Sequence, residues 1–219
     1  MNVLLSGQKW FGAEVLRSLL LIPSVKVVSV CSPVGLPKAD RLTALAEIQR
    51  IPVIPSGALR AQTVQDSTDL IVAAHSHDFI GQKTRNRATF GGIGYHPSLL
   101  PLHRGRDSVR WAIRMRERVT GGTVYGLSNG MDRGDILEQE HVFIRWDDTA
   151  EELWRRELCP LGVKMLASVV SRFASFGMQH GTKQDESIAT WEPSIDRPPA
   201  FRPDLLMLPL KCGGGADGY

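Results

Sequence analysis

The residues best suited to chemistry lie between positions 92 and 137. His96 ends an apolar run and opens the string His96-Pro97-Ser98-Leu99-Leu100-Pro101, while Asp132 sits in the acidic turn Met131-Asp132-Arg133-Gly134-Asp135. An imidazole titrates near neutral pH, so it can both donate and accept a proton within one reaction cycle. A nearby carboxylate fixes its tautomer and raises its basicity. Such a pair suits group transfer in which an oxyanion is stabilised and a proton moves from the attacking to the leaving atom. Pro97 and Pro101 forbid a helix through the segment and stiffen the loop that holds the imidazole.

Two further groups of residues could take part. His75 and His77, at i and i+2 on an extended segment, face one side, and with His96 and Asp132 they would make a nitrogen–oxygen metal set by residue type. Spacing alone does not make a metal site. Arg104 and Arg106 precede a helical pattern carrying Arg110, Arg114, Arg116 and Arg118 around Trp111, Ala112 and Met115. This reads either as a solvated basic face, or as a loop in which Arg104 and Arg106 grip an anionic acceptor such as a phosphate.

The elements that must position these residues follow from periodicity. Residues 2–6 are a short apolar run bounded by Gly7, and an amphipathic helix follows: the strand-turn-helix opening of a parallel α/β sheet. Strands are predicted over 25–31 and 51–55, with a helix over 39–50 between them. Residues 69–74 form a near-continuous apolar run, as expected of a strand covered on both faces. It delivers His75 to Ile80, and ligands of open parallel sheets sit beyond the strands' carboxyl ends, so this loop and His96 should share a rim. Strands over 122–127 and 136–144 flank the turn at Asp132. A long helix over 151–176 should kink or break at Cys159-Pro160. The first turn, Gly7-Gln8-Lys9-Trp10-Phe11-Gly12, has neither the glycine spacing of a dinucleotide fold nor the Lys-Ser/Thr of a P-loop. The expected class is α/β, with a Rossmann-like open, mostly parallel sheet flanked by helices.

With 219 residues, 42% hydrophobic and 22% charged, the chain can bury a substantial core as one domain. We expect that domain over 1–180, and over 181–219 a proline-rich extended segment packed on it, ending in a frayed glycine-rich tail. A net charge of +3 is only mildly basic and favours a phosphate-bearing partner weakly. No apolar run of about 18 residues suggests a membrane span, and no cleavage site follows the apolar stretch near Leu20. Cys31, Cys159 and Cys212 form an odd set without paired spacing, which fits a reducing, cytoplasmic setting.

The strings HPSLLPLHRG, TGGTVY and MDRGDIL, together with LLSGQKWFGAEVL and ATWEPSIDRPP, resemble the folate-dependent formyltransferase family. Its members include methionyl-tRNA formyltransferase, glycinamide ribonucleotide formyltransferase and amino-sugar N-formyltransferases. The resemblance implies the formyltransferase fold, 10-formyltetrahydrofolate as co-substrate, no metal, and a small amine acceptor, a sugar nucleotide or another phosphorylated molecule. It matches His96 to the catalytic histidine and Asp132 to the catalytic aspartate. Phe79 and Ile80 match positions flanking the pterin, with His77 and Asp78 beside them, and Gly130, Met131 and Asp135 belong to the loop that closes on it. On the acceptor side it implies Ser98, Leu99, Arg104, Arg106, Gln8 and Trp10. The tRNA-acting members carry a further C-terminal domain, for which the residues after the EPSIDRPP string are too few, so a nucleic-acid acceptor is not expected. A homodimer is compatible with the resemblance.

One departure is serious. The family has asparagine two residues before the histidine, donating to the formyl oxygen, and this sequence has Gly94. Losing one such donor costs about 10²–10³ in rate, roughly 3–4 kcal/mol. His75, His77 and His103 are candidate substitutes, as are a backbone N–H or a water. Three readings therefore stand: an N-formyltransferase, a formyltetrahydrofolate hydrolase with water as acceptor, and a non-catalytic folate-binding protein of the same fold.

Overall fold

The computed structural model describes residues 1–195. Its strands are β1 (Asn2–Gly7), β2 (Lys26–Ser32), β3 (Val53–Pro55), β4 (Leu70–Ala74), β5 (Gly92–His96), β6 (Val119–Gly126) and β7 (Ile136–Phe143). Between them run α1 (Lys9–Leu20), α2 (Arg41–Ile48), the short α3 (Gln82–Arg85) and α4 (Ser108–Arg114). After β7 a continuous helical run comprises α5 (Ala150–Leu153), a π turn (Trp154–Leu158) and α6 (Cys159–Phe176).

The seven strands form one sheet in the order β3-β2-β1-β4-β5-β6-β7. The first five in that order are parallel, and β6 and β7 are antiparallel additions. Strand order reverses between β1 and β4, so the ligand crevice of an open α/β sheet falls above their carboxyl ends. Gly7 is required there: a Cβ on it would lie 2.3 Å from the Ala74 carbonyl oxygen.

The central strands are apolar along their whole length because both faces are covered. On one face, α1 and α6 bury Phe11, Leu16, Met165, Leu166 and Val169 against Leu5, Val72 and Ile93. On the other, Leu4 and Ile71 pack with Leu59, Ile80 and Ala88. Each fully buried large aliphatic side chain contributes about 1.5–3 kcal/mol. The run from Ala150 to Phe176 is long and apolar enough to cross a bilayer by length and composition. Its apolar stripe nevertheless lies in this core, as expected of a sheet-covering helix.

The break expected at Cys159-Pro160 does not occur. Pro160 lies inside the continuous run, as the second residue of α6 directly after the π turn. The adjustment is made just before it, in the π turn, and the Leu158 carbonyl accepts a 2.6 Å hydrogen bond from Tyr95 Oη. Gly122 of β6 and Gly162 of α6 form the slot for the Tyr95 ring, since a Cβ on either would lie within 2.6 Å of it. The residue before His96 is thus locked into the core. The predicted basic helix is shorter than expected: Gly105, at φ +104, keeps the chain irregular before Ser108, and Arg116, at φ +55, ends the turn after it.

Residues 181–195 run back along the domain. Thr182 pairs with Ile136 and Trp191 with Arg104. The rest of the proline-rich segment and the glycine-rich tail, 196–219, lie outside the described residues.

Candidate active site

β5 delivers His96 to the carboxyl edge of the sheet, 6% exposed. Its Nε2 lies 2.7 Å from the carbonyl oxygen of His103. A carbonyl only accepts, so Nε2 carries the proton and the neutral ring presents its lone pair at Nδ1. Nδ1 faces Asp132 Oδ2 across 3.6 Å. That gap exceeds a hydrogen bond but is too short for a heavy atom between the two, so both atoms can meet a reacting group only from the same side.

Asp132 is equally constrained. It adopts φ +54, a conformation of the kind that costs about 1–3 kcal/mol outside glycine. The Gly105 N–H donates to Oδ2 at 2.8 Å and Tyr125 Oη donates to Oδ1 at 2.6 Å. The loop beneath is held from β6: Thr123 Oγ1 donates to the Ser98 carbonyl at 2.7 Å and accepts from the Leu100 N–H at 3.2 Å. The Leu100-Pro101 peptide is cis.

Two cavities lie at this rim. One of about 280 Å³ is bounded by His96, His75, Phe11, Tyr95, Trp154 and Arg106. A larger one, about 520 Å³, is lined by Arg60, His77, Asp78, Phe79 and Thr84 and does not touch His96. Chemistry at the imidazole therefore belongs to the smaller cavity, whatever the larger one holds.

The structure brings together His96, Asp132, His75 and Arg106. His75 sits at φ +61, and partial burial, then the charges of Lys9 and His77, hold its ring below the usual histidine value. It is a neutral imidazole at the mouth of the same cavity as His96.

Other sequence-based expectations need correction. Arg104 is not open to an anion: it is 5% exposed, and its guanidinium donates to Gln184 Oε1 and both oxygens of Glu186 at 2.8–3.1 Å. It ties down the returning C-terminal segment instead. His103 cannot lend a donor to the site, because its ring faces Glu117 at 2.7 Å and Glu192 at 3.1 Å. Its contribution to His96 is the main-chain carbonyl. Ser98 is fully buried and spends its hydroxyl on the Leu102 carbonyl at 2.6 Å. Leu99 packs against β6, where a Cβ on Gly121 would lie 2.5 Å from its Cδ2.

His77 lines the larger cavity rather than that of His96. Asp78 accepts from Ser56 Oγ at 2.7 Å and the Gly57 N–H at 2.5 Å, so it latches two loops together. Ile80 is buried in the lower core and presents no free face, whereas Phe79 is 79% exposed. Across the rim, Met131 is 54% exposed, Gly130 is covered by Arg133, and Asp135 lies 3.7 Å from Lys183. In the first turn Trp10 is exposed, while Gln8 is buried with its amide nitrogen unpartnered. Among the described residues no group of three or more His, Cys, Asp or Glu is arranged to hold a metal.

The space beside Gly94 is tight. A Cβ there would lie 3.1 Å from Leu127 Cδ2 and 3.3 Å from Tyr125 Oη. Sequence reasoning missed Tyr125, although the register offers the signal: β5 and β6 are antiparallel, with His96 opposite Thr123 and Gly94 opposite Tyr125. It also missed Arg85, which is buried and donates to the Ile80 carbonyl at 2.6 Å and to Asn129 Oδ1 at 2.7 Å. That residue joins the rim loop after β4 to the loop after β6.

This sheet, reversed between β1 and β4 and carrying a histidine and an aspartate at one rim, has counterparts among known proteins. A family model described as formyl transferase matches residues 55–170, and the chain belongs to that family. The cytosolic 10-formyltetrahydrofolate dehydrogenase of Xenopus laevis is 33% identical over 203 residues, covering 88% of this chain and 22% of that protein. The chain thus spans about a fifth of the length of such dehydrogenases. Methionyl-tRNA formyltransferase of Acidobacterium capsulatum is 33% identical over 142 residues, covering 63% of this chain and 44% of that one.

Solved structures share the fold. The N-formyltransferase from Helicobacter canadensis, in complex with folinic acid and dTDP-3-aminofucose, superposes with a TM-score of 0.70 at 18% identity, covering 87% of this chain and 70% of that one. Phosphoribosylglycinamide formyltransferase from Bacillus halodurans gives 0.69 at 23% identity, covering 80% and 96%.

Proposed function

We propose that this chain uses 10-formyltetrahydrofolate as formyl donor and passes the formyl group to the amine of a small acceptor at the His96–Asp132 pair. One observation carries the reading: an imidazole and a carboxylate from separate parts of the chain face each other across 3.6 Å, each oriented by its own hydrogen bonds.

The attacking nitrogen adds to the formyl carbon and the carbonyl oxygen gains negative charge. With Nε2–H committed to the His103 carbonyl, a proton taken up at Nδ1 makes His96 a donor to that oxygen. Asp132 accepts the proton shed by the attacking nitrogen and returns it to the departing nitrogen of the folate, directly or through a water. General acid–base assistance of this kind contributes about 10²–10⁴ in rate. The exposed faces of Phe79 and Met131 are the apolar surfaces a pterin would cover. Arg106 and Arg110, both exposed and lining the smaller cavity, are the cations a phosphorylated or carboxylated acceptor would meet there.

A second reading takes water as the acceptor. It is favoured by the similarity to 10-formyltetrahydrofolate dehydrogenases, whose name specifies no amine. Incubation with 10-formyltetrahydrofolate, with and without a panel of amines, separates the readings through tetrahydrofolate release. Amine-dependent release supports formyl transfer, and amine-independent release supports hydrolysis. Binding without release would overturn both in favour of a folate-binding protein.

A further inference from the structure

Tyr125 lies on β6 with its ring 8% exposed, and its hydroxyl donates to Asp132 Oδ1 at 2.6 Å, the length of a charge-assisted O–H···O⁻ bond. Burial, then the neighbouring Asp132 charge, push its ionisation well above the usual phenol range, so it remains a donor at any working pH. The facing residue of β5 is Gly94, and a Cβ there would come within 3.3 Å of Oη and 3.4 Å of Cε1. Glycine on one strand thus makes room for the phenol on the next.

The two oxygens of Asp132 have different surroundings. Oδ2, which faces His96 Nδ1, takes only the Gly105 main-chain N–H, and Oδ1 takes the phenol. The other charged and polar groups nearby are engaged elsewhere: Arg104 and Arg133 both donate to Glu186, and Gln184 donates to the Asp132 main-chain oxygen at 2.8 Å. Rotation of the carboxylate about its Cβ–Cγ bond is therefore resisted by two bonds, and Tyr125 supplies the side-chain one.

We propose that Tyr125 is a positioning residue for group transfer, its phenol pinning one oxygen of Asp132 so that the other stays aimed at His96. The inference rests on the reading of His96 and Asp132 as the reacting pair. It predicts that the hydroxyl, and not the ring, matters to rate.

Tyr125→Phe keeps the ring and removes one atom. In the full chain, tetrahydrofolate release should slow by about 10- to 100-fold in kcat, as expected for loss of one hydrogen bond to a charged group. KM for 10-formyltetrahydrofolate should stay within about twofold, because the phenol does not line the cavities. The acid limb of the pH–rate profile should move to higher pH, since the ionised carboxylate loses a donor. A second measurement is independent of turnover: the Asp132 carboxyl ¹³C resonance should titrate at higher pH in Tyr125→Phe than in the native chain. An unchanged kcat and profile, or an unchanged Asp132 titration, would overturn the proposal. His96→Ala, assayed beside it, separates the two levels. Inactive His96→Ala with native-like Tyr125→Phe defeats the tyrosine inference alone, whereas active His96→Ala defeats the underlying reading.

Discussion

Replacing His103 by glutamine tests how the site is braced. The ring is 4% exposed and sits between Glu117, 2.7 Å from Nε2, and Glu192, 3.1 Å from Nδ1. The Glu192 contact, then Glu117, raise its pKa above the usual histidine value against the opposing effect of burial. The imidazolium is thus the stabilised form. Removing the central charge of a buried ion pair costs about 3–5 kcal/mol. Glu117 is 30% exposed, so water screens one of the two contacts and the lower end, about 3 kcal/mol, applies. For a chain of this size that corresponds to a melting temperature lower by roughly 6–12 °C.

The pH dependence has a defined sign. A histidine whose folded pKa is raised contributes stability fully below its unfolded value, about 6.5, and loses it as pH rises through the folded pKa. Thermal unfolding of the native chain and His103→Gln, followed by circular dichroism from about pH 6 upward, should show a wide gap at the acid end that narrows towards alkaline pH. A gap independent of pH, or one that widens as pH rises, would refute the reasoning.

Gly94→Asn should lower both stability and rate, because its side chain meets Leu127 and the Tyr125 hydroxyl; overpacking of this kind costs about 1–3 kcal/mol. A faster enzyme with an unchanged melting temperature would contradict that. Arg85→Met should raise KM for 10-formyltetrahydrofolate by about tenfold with a smaller change in kcat, since the rim loop loses its tie to Asn129. Steady-state kinetics check this, and an unchanged KM would show that the two loops hold their places without it.

Much of the fold was legible because its signals are local. The near-continuous apolar run before His75 marks a strand covered on both faces, and alternation with amphipathic helices implies a parallel sheet. His96 and Asp132 were legible as residue types bounded by stiff or turn-forming neighbours. What was lost depends on partners far along the chain. Arg104 looks like a surface cation until Gln184 and Glu186, 80 and 82 positions on, take its guanidinium. Arg85 follows the exposed Lys83 in a short polar segment, and its burial is decided by Asn129 on another loop. Tyr125 was hidden because its role follows from the β5–β6 register, which periodicity within one strand cannot supply. The π turn escaped because Pro160 suggested a kink or break, whereas the helical run continues through that proline with the irregular turn directly before it.

The most direct test of the His96–Asp132 account is tetrahydrofolate release from 10-formyltetrahydrofolate by the native chain, His96→Ala and Asp132→Ala, with circular dichroism as the check on folding. Each variant should lose at least about 10² in rate while its spectrum matches the native one. A correctly folded variant of either kind that releases tetrahydrofolate at a near-native rate would contradict the account.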